Sequence, residues 1–177
     1  MSRRILAALA LCAASAAPLA GQQAPADSSS FVPRQVVSLQ PIHALLEWYS
    51  GEYERVVSRT TTVGVGGSFF GLEGVDYFSA DAKLRYYPSG DPLRGLSFAV
   101  TVGPTLISDS DFEEGEDDYQ AVGVGFEVSR SHLSGVDRRF FWGYGIGAKR
   151  LIPFDGNGLE DGELAVPTLR FSVGYAF

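Results

Sequence analysis

The stretch LRFSVGYAF, Leu169 to Phe177, sets Leu169, Phe171, Val173, Tyr175 and Phe177 on one side of an extended chain and Arg170, Ser172, Gly174 and Ala176 on the other, because successive side chains of a strand point in opposite directions. One face is large and apolar throughout; the other is small or polar. Such a strand either buries its apolar face in a core or shows it to lipid, and the neighbouring segments decide between the two.

The same period-2 design recurs upstream. Leu96, Phe98, Val100 and Val102 stand against Ser97, Ala99, Thr101 and Gly103. Val122, Val124, Phe126 and Val128 oppose Ala121, Gly123, Gly125, Glu127 and Ser129. Phe140, Trp142, Tyr144 and Ile146 oppose Phe141, Gly143, Gly145 and Gly147, and Val63, Val65 and Phe69 oppose Thr62, Gly64, Gly66 and Ser68. In DYFSADAKLRYYP the apolar face is Phe78, Ala80, Ala82, Leu84 and Tyr86, while Tyr77, Ser79, Asp81, Lys83, Arg85 and Tyr87 share the other. Repetition of one pattern without a convincing helix predicts a single continuous antiparallel sheet.

Six strands are clear, at 60–70, 75–87, 95–107, 119–130, 139–149 and 163–177. VVSLQPIHALLEWYSGEYERVV is expected to supply two more, divided near Trp48 to Gly51, with Pro41 tolerated at an edge, end or bulge. The total of about eight is even, as single-chain bacterial barrels require. The links alternate. SRTT near Ser58, PSGDPLR from Pro88 to Arg94 and SHLSGVDR from Ser131 to Arg138 fall at one end of the sheet and carry most of the links' basic residues. FGLEGVD from Phe70 to Asp76, SDSDFEEGEDD from Ser108 to Asp118 and IPFDGNGLEDGEL from Ile152 to Leu164 fall at the other, and two of these are long and acidic. Short turns alternating with longer loops are the habit of transmembrane β-barrels.

The glycines indicate which face points inward. Gly64, Gly66, Gly123, Gly125, Gly143, Gly145 and Gly147 all lie on the small face. Strand glycines are a poor covering for a water-facing surface, but inside a narrow barrel they leave room for long side chains from other strands, and an eight-stranded interior is just filled by side chains. The small faces then bring Glu52, Glu54, Asp81, Lys83, Arg85, Glu127 and Arg170 into one lumen. Buried charges must be paired, so these residues are expected to form a salt-bridged network that plugs the barrel in preference to an ion path. Trp48, Tyr49, Tyr86, Tyr87, Tyr119, Phe140, Trp142, Tyr175 and Phe177 lie near strand ends, where membrane barrels carry aromatic girdles.

The start of the chain reads as a secretory signal peptide over 1–21: MSRR is basic, ILAALALCAASAA is apolar but too short to span a bilayer, and APLAG is a small-residue cleavage region. A flexible leader, QQAPADSSSFVPR, follows over 22–34, and the barrel occupies 35–177. The 14 basic and 21 acidic residues become 12 and 21 once Arg3 and Arg4 are removed, a net charge of −9, which disfavours nucleic acid as a partner. Cys12, the only cysteine, leaves with the signal peptide, so the mature chain lacks disulfides and thiolate chemistry.

Signal peptide, Gly-rich alternating strands, acidic longer loops and the terminal FSVGYAF together resemble the small outer-membrane β-barrels of Gram-negative-type bacteria, the OmpA, OmpX and OmpW-like group. Phe171, Val173, Gly174, Tyr175 and Phe177 resemble the C-terminal signal read by the outer-membrane barrel-assembly machinery. GEYER at Gly51 to Arg55, with Val63 to Phe70 and KLRYYP at Lys83 to Pro88, is similar to a family of such barrels with no assigned activity. The resemblance implies an outer-membrane location, contact with lipid and lipopolysaccharide, and transient engagement of the assembly machinery. It fixes a fold more than a function.

Catalytic material is thin. His43 and His132 are the only histidines and sit in no metal-binding spacing, so no metal or cofactor is expected. DFEEGEDD, Asp111 to Asp118, lacks the fixed spacing of a calcium loop and reads as a solvated acidic loop. SHLSG, with His132 and Ser134 two apart, resembles the H-x-S element of outer-membrane lipid A deacylases, but the glutamate that family places downstream is missing over Trp142 to Ile146. The expectation is therefore a non-enzymatic, all-β, single antiparallel up-and-down transmembrane β-barrel. It is expected to be monomeric and to act in a structural, adhesion or ligand-recognition role. The alternative is a secreted soluble lipocalin-like carrier with grease inside and glycines outside.

Overall fold

The computed structural model describes residues 32–72, 75–109, 119–153 and 165–177. The expected signal peptide, most of the expected leader and the acidic stretch Asp111 to Asp118 lie outside the described residues. Eight antiparallel strands close into an up-and-down barrel in which each strand pairs with its neighbours in sequence and β1 pairs with β8. They are β1 (Gln35–Leu39), β2 (Trp48–Val56), β3 (Thr61–Leu72), β4 (Val75–Tyr86), β5 (Gly95–Asp109), β6 (Tyr119–Ser134), β7 (Phe140–Pro153) and β8 (Ala165–Ala176). The opening stretch is the closing strand. Val36 opposes Ala176 and Leu39 opposes Val173, and the Phe177 carbonyl accepts from the backbone N–H groups of Arg34 and Gln35 at 3.0 and 2.8 Å.

The side-chain alternation resolves as glycines in and large apolar groups out, the opposite of what a lipocalin-type barrel needs. Leu169 is 73% exposed, Ile146 65% and Val65 59%, and Phe69, Phe78, Leu84, Val100, Phe126 and Tyr175 also project from the wall. The inner face is buried but mostly polar: Ser38, Glu52, Glu54, Thr62, Ser79, Arg85, Ser97, Thr105, Ser129, Ser131, Arg170 and Ser172. Ala99, Ala121 and Leu151 are buried farther along the lumen, but the apolar cluster inside sits at the end that holds the short turns. There Val36, Leu93, Phe141 and Ala176 form a small cluster joined by Val56 and Leu133. Leu93 belongs to the turn between β4 and β5 and adopts a left-handed backbone, φ 67°. That conformation is unfavourable for a side chain bearing Cβ; at Leu93 it accompanies complete burial of the side chain at the barrel's end.

Four boundaries differ from the sequence expectation. The link between β1 and β2 falls at 40–47, not at Trp48 to Gly51, and contains a helical turn, α1 (Pro41–Ala44), where no helix was expected. Proline suits the first turn of a helix, since its missing N–H would be unpaired there in any case, and IHALL lacks the alternation that would extend a strand. The strand expected to stop at Arg130 continues through Ser134, because Ser131 to Ser134 pair with Gly143 to Phe140. β3 extends through Leu72, past its expected end at Phe70 and into the expected Phe70 to Asp76 link, while β4 begins at Val75 as expected. β7 likewise runs through Pro153 into the link expected from Ile152.

Candidate functional site in the lumen

Six charged side chains meet at mid-height in the lumen. Lys83 Nζ lies 2.7 Å from Glu52 Oε2 and 3.4 Å from Glu127 Oε2. Arg85 Nη2 lies 3.2 Å from Glu52 and 3.1 Å from Glu127, while its Nη1 donates to Glu54. Arg170 Nη1 lies 3.0 Å from Glu52 and 3.1 Å from Glu127. Three acids face three bases, so the cluster is neutral, and each carboxylate touches at least one guanidinium. Thr62 Oγ1 and the Tyr87 hydroxyl donate to Glu54 at 2.6 and 2.8 Å, which uses lone pairs the arginine leaves open. Pairing plus these added bonds is what burial of ions requires.

The strands divide this work by position. Members come from β2 (Glu52, Glu54), β4 (Lys83, Arg85), β6 (Glu127) and β8 (Arg170), while the intervening strands offer small inward residues at that height: Ser38, Gly64, Ala99 and Gly145. Long side chains therefore reach across the space their neighbours leave empty.

Asp81, expected in the same network, is not in it. Its carboxylate bonds Lys149 Nζ at 2.8 and 3.0 Å, one layer nearer the long-link end. Lys149 had no place in the expected set, although inward parity along β7 from Gly143, Gly145 and Gly147 reaches it next. Its side chain lies over Gly123 of β6, where a Cβ would overlap the lysine chain and come within 2.9 Å of Nζ. Tyr87 also departs from expectation: placed by sequence among girdle aromatics, it is fully buried in the lumen, since it continues the inward face of β4 from Arg85.

Between the charge layer and the long-link end lies a cavity of about 390 Å³. Trp48 and Tyr77 meet edge to face at 5.6 Å on its wall, and His43 of α1 stacks on Trp48 at 5.2 Å. Lys83, Lys149 and Asp81 lie at its floor. Trp48, another expected girdle residue, thus faces the lumen. At the opposite end the Val36, Leu93 and Phe141 cluster closes the barrel beneath the charges.

The deacylase-like pair does not form a catalytic arrangement. His132 and Ser134 lie on the outer face of β6 near the short turns; His132 stacks on Trp142 at 4.3 Å and Ser134 accepts from Trp142 Nε1 at 3.1 Å. A histidine covered by a ring and a serine engaged by an indole N–H lack the base–nucleophile contact that acyl transfer needs. Among the described residues no group of three or more His, Cys, Asp or Glu is placed to hold a metal ion.

Neither a protein-family model nor a curated protein matches the chain. Among solved structures, the N-terminal β-barrel domain of Pseudomonas aeruginosa OprF is similar, at 14% identity and a TM-score of 0.48 over 82% of this chain and 98% of that one.

Proposed function

We propose that this chain is a non-enzymatic outer-membrane barrel, monomeric and lipid-embedded, which holds its acidic links at the cell exterior in a structural, adhesion or recognition role. The observation that carries the reading is the outer wall. Leu169, Ile146, Val65, Leu84, Val100 and Phe126 stand exposed on six different strands, an apolar wall of the kind that water-soluble monomers rarely show as one contiguous patch. A closed barrel satisfies its backbone internally, which the bilayer interior demands.

The lumen supports a plug and not a pore. A neutral, mutually bonded cluster over an apolar seal leaves, among the described residues, no free carboxylate or cation at mid-height to line a water path. Delivery to the membrane rests on the terminal pattern Phe171, Val173, Gly174, Tyr175 and Phe177 as the signal for the barrel-assembly machinery, with lipopolysaccharide as the lipid neighbour after insertion.

Expression in a Gram-negative host followed by carbonate washing tests this. The protein is expected to stay with outer-membrane fragments and to migrate faster unheated than boiled, and in planar bilayers to give no porin-sized conductance steps. Release into the soluble fraction would sink the membrane reading, and steady large steps would sink the plug.

A further inference from the structure

The barrel wall has a short stave. β1 ends at Leu39, opposite Gly51 of β2 and Val173 of β8, yet β2 begins three residues beyond that level at Trp48 and β8 extends to Ala165. From Ala165 to Ser172, β8 has a strand partner on its β7 side only. What fills the gap is α1 and the residues after it, packed against β2 and β8 without a backbone hydrogen bond to β8 among the described residues.

That filling has two unlike sides. Ile42, Leu45 and Leu46 are 51%, 83% and 65% exposed, so the segment continues the apolar exterior over the gap. His43 and Leu46 also line the lumen cavity, whose wall includes Val166, Thr168 and Leu169 from the unpaired part of β8. The cavity therefore reaches the seam itself. Two buried polar atoms there, Trp48 Nε1 and His43 Nδ1, have no hydrogen-bond partner among the described residues. Buried polar groups are almost always bonded, and an indole N–H can only donate.

We infer that the seam between β2 and β8 is a side entrance from the bilayer, and that the cavity behind it binds a single-chain lipid with an uncharged, oxygen-bearing head, such as a long-chain alcohol or monoacylglycerol. The head oxygen accepts from Trp48 Nε1, which is closed off in this structure and is uncovered by a shift of the stacked His43 ring, and the chain leaves past Leu169 and Ile42 toward the exterior. The head is uncharged because Lys149 is bonded to Asp81 and Lys83 to Glu52; an ionic head would have to break a pair. A volume of about 390 Å³ lies within the ~300–1,000 Å³ of small-molecule sites. This inference rests on the membrane reading above.

The test uses the full mature chain carrying Trp142→Phe, which leaves Trp48 as the only tryptophan, in nanodiscs of saturated phosphatidylcholine. Dibromostearyl alcohol, a heavy-atom quencher, is titrated in. Expected is a saturable loss of most Trp48 emission at a low mole fraction, reversed by excess hexadecanol and not reproduced by dibromostearate. Adding Ser68→Phe, which fills the cavity wall, is expected to abolish the saturable phase while the heat-modifiable gel shift persists. Quenching that rises linearly with bilayer content and ignores hexadecanol would overturn the proposal whether or not the Ser68 variant folds. Equal potency of the carboxylate would overturn the uncharged head. Failure of the chain to enter nanodiscs at all would instead overturn the membrane reading, and this site with it.

Discussion

Asp81 and Lys149 join β4 to β7 through the lumen at 2.8 Å, with β5 and β6 lying between them in the wall. A contact across two intervening strands exists only because the sheet curls shut, and only because Gly123 leaves the lysine a path. The pair is partly exposed toward the cavity, Asp81 most of all, whereas Glu52, Glu54, Arg85 and Arg170 beneath it are almost wholly enclosed. The two layers should therefore respond differently to the same perturbation.

Replacing Arg85 with Met leaves three carboxylates against Lys83 and Arg170. Breaking a buried ion cluster in this way costs about 3–5 kcal/mol, so the temperature at which the fast-migrating folded form disappears is expected to fall sharply. Adding Glu54→Gln restores the balance of two and two, and the double variant is expected to recover part of the loss. Lys149→Met should cost less, since Asp81 can hydrate through the cavity.

Salt separates enclosed pairs from exposed ones. Screening acts strongly on surface charges and weakly on buried ones. Raising ionic strength to about 1 M, where the Debye length is about 3 Å, is expected to leave the unfolding midpoint in urea nearly unchanged for the parent chain. A marked fall would mean that water and ions reach the cluster.

Two glycine-to-alanine changes on opposite faces should diverge. At Gly174 an added Cβ would come within 2.8 Å of Ser38 Cα and Cβ on β1, across the closing seam, and overpacking of this kind costs about 1–3 kcal/mol. At Gly67 the nearest atom is the Ser79 carbonyl oxygen at 3.7 Å and the position is outward. Thermal gel-shift assays are expected to show a destabilised barrel for Gly174→Ala and a near-parental one for Gly67→Ala.

Phe177 has two separable parts. Its backbone accepts from Arg34 and Gln35, while its ring sits exposed beside Tyr175 at 6.4 Å. Phe177→Ala keeps the backbone bonds, so refolding into detergent is expected to proceed normally. In cells the same variant, like deletion of the residue, is expected to accumulate in the periplasm and be degraded. Parental outer-membrane levels would remove the ring from the assembly signal.

The residues from β3 to β8 were readable in advance because each alternates cleanly, and alternation fixes both the strand and its inward side. Lys83, Arg85, Glu127 and Arg170 were located by that parity alone. Parity gives a side but no height, which is why Asp81 was grouped with charges one layer away and why Lys149, at the end of the expected strand, went unmatched. Aromatic residues carry the same ambiguity: Tyr87 and Trp48 have ring types that suit a membrane interface, and while parity already sets Tyr87 on the inward face, only the structure shows Trp48 turned inward. The β1 to β2 segment was least legible. Pro41 and the run IHALL follow neither period, because their place is set by a gap between two strands that are distant in sequence.

The charge cluster draws a member from every even-numbered strand and none from the odd ones. β2 to β4 alone balances two acids against two bases, and β6 to β8 alone pairs Glu127 with Arg170, but the bonds that join these two groups, from Lys83 and Arg85 to Glu127 and from Arg170 to Glu52, form only across the closed barrel. A half-built sheet meeting hydrocarbon would carry ion pairs lacking their cross-barrel bonds as well as open edges, whose unsatisfied backbone groups cost several kcal/mol. On the membrane reading proposed above, closure and insertion are expected to be cooperative, since the bonds that unite the two groups of charges exist only when all eight staves are present.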